Sequence, residues 1–547
     1  MNSLILHRLT GEKSGLYLLL FLSLLLVSSG SGCSGDSGAR EISVGISLEP
    51  KTLNPILDLN NEARQITSLV FDGLTNPIGL SGNLRQEYEY ALAQKIAETD
   101  PRDRRFLRVE LRPGIKWHNN VDFTAGDVLF TWEAIHQSNS PLRVRLDRFV
   151  DDIRVVDDLT LTIRLREERI AERVKDILSF KILPQVYDPS AGASGHLPRN
   201  LNTQSPIVSR FNWKPVGTGP YQVSERPASS EIFLSANPLP VLGAPKVQKV
   251  QLKRFPGWDV ITKALAEKNI NLAVDVPPDY FAQLDRENLA NQVYSPYNFY
   301  VLVYNVSSPP LNSRRFRRAL TQTVNREQLA ATFLPDEPNV AQFINESIYP
   351  YNYEHVQDNP EAFRTRLTTN PAAAKRALRD FSASSKKIRL LYCSLINGEN
   401  ANLLAQSYKQ MLSAVGVEVI LENAPNIAIY HSRLRSREFQ VAFVLYDGLD
   451  HFYELYDFFE PDGKKKHSGF VHPRLTNLLA ELKLTLAFDD VGRLSAEIHR
   501  IIDRHAPVCP LFTLPKRAYY SPNLQDLMIN PEYYFNQLYL ADFYQGD

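Results

Sequence analysis

The chain has 547 residues, with 61 basic against 61 acidic side chains and so no formal net charge. That balance argues against a nucleic-acid-binding surface, which would show as clustered excess basic charge, and three cysteines are too few for a disulfide-rich scaffold. The length exceeds what one hydrophobic core usually supports, so two or more lobes are expected.

In chain order, His7, Arg8 and Lys13 form a short basic region ahead of a leucine-dominated run from Leu16 to Val27. A helix that crosses a bilayer needs roughly twenty apolar residues. This run is shorter and suits the apolar core of a signal peptide, followed by the small residues Ser28 to Gly32. Residues 1–32 are therefore expected to be a signal peptide, and 33–40 a tether of flexible composition. Gly30-Ser31-Gly32-Cys33 resembles the lipobox, in which small residues precede a cysteine that is lipidated, although Gly30 stands where that motif usually has leucine. The other reading of Cys33 is a free or disulfide-bonded thiol. Stable anchoring would take two or more acyl chains. Beyond the leader no segment reaches membrane-spanning length, and whether Cys393 and Cys509 pair is open.

Ile42, Val44, Ile46 and Leu48 alternate with other residues, the period of a half-buried strand. Leu107, Val109 and Leu111 do the same, as do Leu159, Leu161, Ile163 and Leu165 behind the turn signal Asp157-Asp158. These predict antiparallel strands in one lobe. Leu404, Tyr408, Met411, Leu412 and Val415 share a helix face, Gly416 stands at the C-cap, and Val417, Val419 and Leu421 then alternate. That helix-to-strand unit is typical of an α/β lobe. Two more helices follow, one through Leu475, Leu478, Leu479, Leu482 and Leu486, the other from Val491 through Ile502 and stopping before Pro507. No fixed-period repeat is found.

Five segments, in order, carry a resemblance to a known family. They are Glu49-Pro50-Lys51-Thr52-Leu53-Asn54-Pro55 with Val70-Phe71-Asp72-Gly73-Leu74; Leu111 to His118 with Phe123 to Val128; Gly217-Thr218-Gly219-Pro220-Tyr221; Tyr304-Asn305 with Pro310, Arg317-Arg318-Ala319-Leu320 and Asn325-Arg326; and Ser468-Gly469-Phe470 to Pro473 with Arg493 and Pro507 to Leu511. Over roughly residues 45–515 the chain resembles the extracellular solute-binding proteins of the dipeptide, oligopeptide and nickel type. It departs from the pattern at Asn120, usually glycine, and at Asn271 and Asn325, usually aspartate.

The resemblance implies an α/β protein with a two-lobed periplasmic-binding-protein-like fold, mixed sheets with flanking helices and an extra subdomain in the first lobe. Lobe I would comprise residues 41–254 and 508–547, and lobe II residues 255–507. Two hinge strands would cross near Val250–Phe255 and return near Pro507–Phe512, the lobes closing over the ligand. The function implied is that of the substrate-binding component of an ABC importer, capturing a di- or oligopeptide and delivering it to permease subunits. It would work as a monomer, outside the cytoplasm, held to the membrane through Cys33, with no catalytic residue, metal, cofactor or nucleic-acid partner.

In peptide-binding members of the family an aspartate holds the ligand's ammonium, and a buried ammonium costs several kcal/mol unless a carboxylate pairs with it. Asp447 takes that place here, with Tyr446, Gly448 and Asp450 beside it; the alternative is that Asp447-Gly448 is only a turn. The second candidate is Ser47-Leu48-Glu49, a strand end that would offer main-chain hydrogen bonds to a peptide, or, at Glu49-Pro50, a scaffold turn. Trp117 and Trp132 are expected in the lobe core, the Gly217–Gly219 pair in a turn, and Arg314, Arg315, Arg317 and Arg318 on a solvated helix face. Lys464 to Lys466 are expected in an exposed loop, and His467 and His472 stand too isolated for a metal site. Three other functions stay open. The fold could take a nickel chelate, an opine or an oligosaccharide; it could serve a sensor; or the chain could be an exported carboxylate-dependent hydrolase, since paired acids need no local signature.

Overall fold

The computed structural model describes residues 41–543, apart from 48–49, 58–59, 81–85, 167–173, 226–230, 295–298, 334–340, 342–343, 350–353, 447–457, 460–466, 486–487, 530–534 and 536–537. Cys33, Leu48, Glu49, Asp447, Gly448, Asp450 and Lys464 to Lys466 thus lie outside the described residues. Among those described, no helix is long and apolar enough to cross a membrane.

Strand β1 (Glu41–Ile46) follows the expected alternation, with Ile42 and Val44 fully buried. Helix α1 (Asn61–Val70) starts where the Asn60 side chain accepts the Ala63 N–H, a standard N-cap. A hairpin of β2 (Thr75–Leu80) and β3 (Gln86–Tyr90) leads to β4 (Ala93–Glu98) and β5 (Phe106–Leu111). After α2 (Ala125–Gln137) come β6 (Val150–Asp157) and β7 (Thr160–Leu165), turned by Asp157 as its carboxylate accepts the Leu159 N–H at 2.9 Å. The expected antiparallel pair is present, with Leu107 opposite Ile163 and Val109 opposite Leu161, inside a separate four-stranded sheet ordered β4-β5-β7-β6.

The first large sheet takes β8 (Tyr221–Glu225), β9 (Glu231–Ala236), β10 (Lys249–Arg254), β11 (Leu272–Val276) and β12 (Ala290–Tyr294). The second holds β13 (Phe299–Tyr304), β14 (Lys387–Tyr392), β15 (Glu418–Asn423), β16 (Val441–Tyr446) and β17 (Val508–Pro510) in the order β15-β14-β16-β13-β17. Finally β18 (Lys516–Tyr520) returns to the first sheet, whose order is β12-β18-β11-β1-β10-β9-β8. Every residue of β13 is buried, as befits an inner strand covered on both faces.

This pairing moves the first passage between the sheets. It lies between Tyr294 and Phe299, later than Val250–Phe255, because β11 pairs in parallel with β1 and β12 pairs with β18. The cause is helix α3 (Trp258–Ala266), which carries the chain from β10 over β1 to β11. It buries Ile261 and Leu265 against Ala273, Val276 and Tyr519, so its apolar face belongs to the first sheet. The second passage lies between Pro510 and Lys516.

The helix-to-strand unit expected from Leu404 to Leu421 is α6 (Ser394–Ser413) followed by β15, and α4 (Arg314–Thr323) and α5 (Arg326–Phe333) pack near α6. Leu404, Tyr408, Leu412 and Val415 are buried, and Gly416 has φ +83, a left-handed turn that glycine adopts without steric cost. Helices α7 (Pro473–Leu484) and α8 (Phe488–His505) cross with Leu478, Leu482, Leu494 and Ile498 buried. Cys393 and Cys509 are both free and buried.

One expectation fails outright. Arg317 is not on a solvated face but 4 % exposed. Its guanidinium donates to the carbonyls of His505 (2.7 Å), Ala506 (3.0 Å) and Leu311 (2.7 Å), so it closes the C-terminus of α8. The last carbonyls of a helix lack internal partners and carry partial negative charge, which is why a cation is accepted there without a carboxylate.

Candidate functional site

Three of the five segments that carried the family resemblance, around Asp72, His118 and Gly217–Gly219, form one hydrogen-bonded frame beside the first sheet. Asp72 accepts from the Asn76 amide at 2.7 Å and from the Thr218 hydroxyl at 2.9 Å. Gly219 N–H donates to the Val70 carbonyl at 2.9 Å, and a Cβ on Gly217 would stand 1.8 Å from that same oxygen. Only glycine allows this turn to close on the end of α1.

His118 locks the turn from the other side. Its Nδ1 accepts the Gly217 N–H at 3.2 Å, so Nε2 carries the ring proton and donates to the Gly219 carbonyl at 3.0 Å. Burial pushes its pKa down to about 4, partly opposed by the bond to Gly219. Asp127 takes the Trp117 indole N–H at 3.2 Å, the Gln185 N–H at 2.8 Å and the Thr124 N–H at 2.9 Å, and burial raises its pKa against those bonds. Trp117 is buried, as expected, while Trp132 is only half-buried against the same core.

The three departures from the family pattern have scaffold reasons. Asn120 has φ +66, the left-handed region where asparagine is the usual substitute for glycine. Asn271 accepts the Ser43 N–H at 2.9 Å and donates its own N–H to the Ser43 hydroxyl at 3.1 Å, tying β1 to β11. Asn325 accepts the Gln328 N–H at 3.0 Å at the start of α5.

The two passages between the sheets bring particular strand ends together. In the first sheet β1 and β11 run parallel, so Ile46 and Val276 end at one edge. There Tyr294 opposes Lys516, and the Phe255 N–H reaches the Ile46 carbonyl at 2.9 Å. In the second sheet Phe299 opposes Tyr446 and Val301 opposes Pro510, which fixes the matching edge. Strands β14 and β15 run parallel to β16, so Tyr392 and Asn423 end at that edge too. The crevice outside the carboxyl ends of parallel strands is where ligands sit in open α/β sheets.

Two of the sequence-derived candidates therefore stand at the two joined edges. Ser47 follows β1 directly and is half-buried. Tyr446 ends β16, 2 % exposed, its ring 3.7 Å from that of Phe458 and 5.6 Å from that of Phe299. Burial holds its phenol protonated. Leu48, Glu49, Asp447, Gly448 and Asp450, next to these two in sequence, lie outside the described residues.

A polar cluster at the same junction escaped the sequence reading. Asp275 has φ +61 where β11 bulges between Ala273 and Val276. Its carboxylate accepts the Tyr294 hydroxyl at 2.7 Å and meets the Lys516 ammonium at 3.1 Å. The three residues come from three strands distant in sequence, so no local pattern marks them.

Residues 87–466 match the model of the bacterial extracellular solute-binding proteins, family 5, in its middle part. The chain belongs to this family. Among curated relatives, Protein XP55 of Streptomyces lividans is 25 % identical over 305 residues, 55 % of this chain and 51 % of that protein. Oligopeptide-binding protein AppA of Bacillus subtilis is 22 % identical over 535 residues, 94 % of each chain. The crystal structure of the ABC transporter substrate-binding protein CtaP of Listeria monocytogenes superposes with a TM-score of 0.78 at 19 % identity, covering 92 % of this chain and 99 % of that one. The fold is thus the two-lobed α/β arrangement of the family-5 type that the sequence led one to expect.

Proposed function

We propose that this family-5 protein is the solute receptor of an ABC importer and that its solute is a peptide, held between the joined sheet edges. The observation that carries the peptide reading is the alignment with an oligopeptide-binding protein over 94 % of both chains. The placement of Ser47 and Tyr446 at those two edges supports the same crevice. Lobe division would follow the sheets, with residues 41–294 and 516 onward facing residues 299–510. Asp447 would pair with the peptide ammonium, and Ser47 to Glu49 would offer main-chain groups. Export and tethering through Cys33 belong to the same reading, since a receptor held near its permease finds it at high effective concentration. Binding alone is the activity proposed, with no turnover of the peptide.

Mass spectrometry of solute that co-purifies with the protein tests the ligand class directly. A peptide is expected, and recovery of a metal chelate, an opine or an oligosaccharide overturns the reading. Calorimetry with a tripeptide and its N-acetylated form tests Asp447. The Asp447→Ala variant should lose roughly 2–5 kcal/mol of affinity, as for one partner removed from a buried charge pair. Acetylation should cost the wild type a similar amount and the variant little, and equal losses in both would remove Asp447 from the site.

A further inference from the structure

Helix α8 changes character along its length. In its first half Arg493 lies within ion-pair distance of Asp490, Glu497 and Glu481. Its last two turns instead border a cavity of about 960 Å³, lined by seven arginines and only two carboxylates, Glu361 and Asp503. With histidines neutral, the lining carries five net positive charges (seven minus two) in a chain whose total formal charge is zero.

The arginines converge from separate elements. Arg314 and Arg318 stand four residues apart on α4, and Arg500 and Arg504 four apart on α8, so each helix turns a like-charged pair toward the same space. Like charges at that spacing destabilise a helix. Among the described residues Arg314, Arg366, Arg500 and Arg504 meet no carboxylate at ion-pair distance. Asp503, also in the lining, accepts the Thr365 hydroxyl and the Arg366 main-chain N–H. The field is felt by His505 in the cavity wall, whose pKa falls to about 4 through burial and then through His472, Arg314 and Arg504.

We propose that this cavity is a binding site for a discrete, multiply charged oxyanion of the phosphate class. Guanidinium groups match phosphate oxygens with paired N–H donors, and several arginines around one concavity suit a ligand with more than one phosphate group. The site is separate from the solute crevice. Tyr304 opposes Val441 and Val303 opposes Val508, so α8 delivers the chain to the sheet edge opposite the one ending in Tyr446. The inference thus goes beyond the peptide reading and survives its failure.

The test is calorimetric titration of the full chain with inorganic tripolyphosphate at low and at high salt. Saturable binding that weakens as salt rises is expected. An Arg500→Gln/Arg504→Gln variant should bind at least about tenfold more weakly, the value of one strong charge-assisted contact. Arg366→Gln, a change outside any helix, should also weaken binding and guards against a helix variant that fails to fold. Arg493→Gln, on the same helix outside the cavity, should leave binding unchanged. Absence of binding to the wild type, equal affinity in the cavity variants, or binding to phosphatidylglycerol vesicles without binding to tripolyphosphate would each overturn the proposal.

Discussion

The motif-bearing frame and the inter-sheet junction sit beside one sheet, yet they are built on opposite plans. In the frame, Asp72 and His118 bond into the Gly217–Gly219 turn, Asp127 takes the N–H groups of Trp117, Thr124 and Gln185, and backbone approaches backbone too closely for a side chain. At the junction, Asp275, Tyr294 and Lys516 add side-chain bonds across three strands, and Lys516 keeps part of its surface in water. The residues that identify the family are thus those that hold the fold, whereas those that would choose a solute lie where the pattern is loosest. Family membership is for this reason easier to read than ligand identity.

If that contrast holds, substitutions in the frame should damage stability far more than substitutions at the junction. The largest effect is expected at Gly217. In Gly217→Ala the new Cβ would collide with the Val70 carbonyl, a main-chain atom that cannot swing aside. A loss of about 4 kcal/mol or more is expected by chemical denaturation, at the extreme of single substitutions. A loss below about 1 kcal/mol would show that the turn can open without harm.

Arg317 extends the comparison to a motif residue in the second lobe. Arg317→Met keeps the bulk of the side chain but strands the carbonyls of Leu311, His505 and Ala506. Each buried acceptor left without a donor costs about 1–3 kcal/mol, part of it recovered by local water, so a total near 3 kcal/mol is expected. Denaturation curves with an unchanged slope would confirm that the effect is on stability alone.

His118 makes the frame sensitive to acid. Its pKa in the folded protein, about 4, lies below its ordinary 6.5. Between those values the unfolded chain binds a proton that the folded chain refuses, so stability falls as pH drops from about 6.5 to about 4 and the contribution is then constant. The shift corresponds to at most about 3 kcal/mol, less for a ring that keeps some contact with water. His118→Gln should be less stable at neutral pH but lose less on acidification, and parallel curves for variant and wild type would exclude His118 as the source.

Most elements of the fold are legible in the residues because their period is local. The alternation in β5 and β7 and the face formed by Leu404, Tyr408 and Leu412 each reflect burial on one side of one element. The position of the first sheet passage is not local. It depends on whether the apolar face of α3 finds its cover on the first sheet or the second, a choice settled by Ala273 and Tyr519 from distant strands. Arg317 was misread for a related reason, since four arginines in five positions look like a solvated face until a neighbouring helix end is placed over one of them. Of the proposed solute site, the sequence marked two strand ends, Ser47 and Tyr446, that the topology places at joined edges, but it held no sign of the nearby Asp275, whose partners lie on other strands.

The smallest effect is expected at the junction itself, and it sets the lower limit of the comparison. Lys516→Met removes the cation facing Asp275 but leaves the carboxylate its bond from the Tyr294 hydroxyl. Lys516 is 29 % exposed, so water already screens the pair and can solvate the carboxylate once the ammonium is gone. A stability change within about 1 kcal/mol is expected, the range of partly exposed ion pairs. A loss as large as that of Arg317→Met would mean that the junction carries the fold as heavily as the frame does. The distinction between a scaffold set by the motifs and a crevice free to vary would then have to be given up.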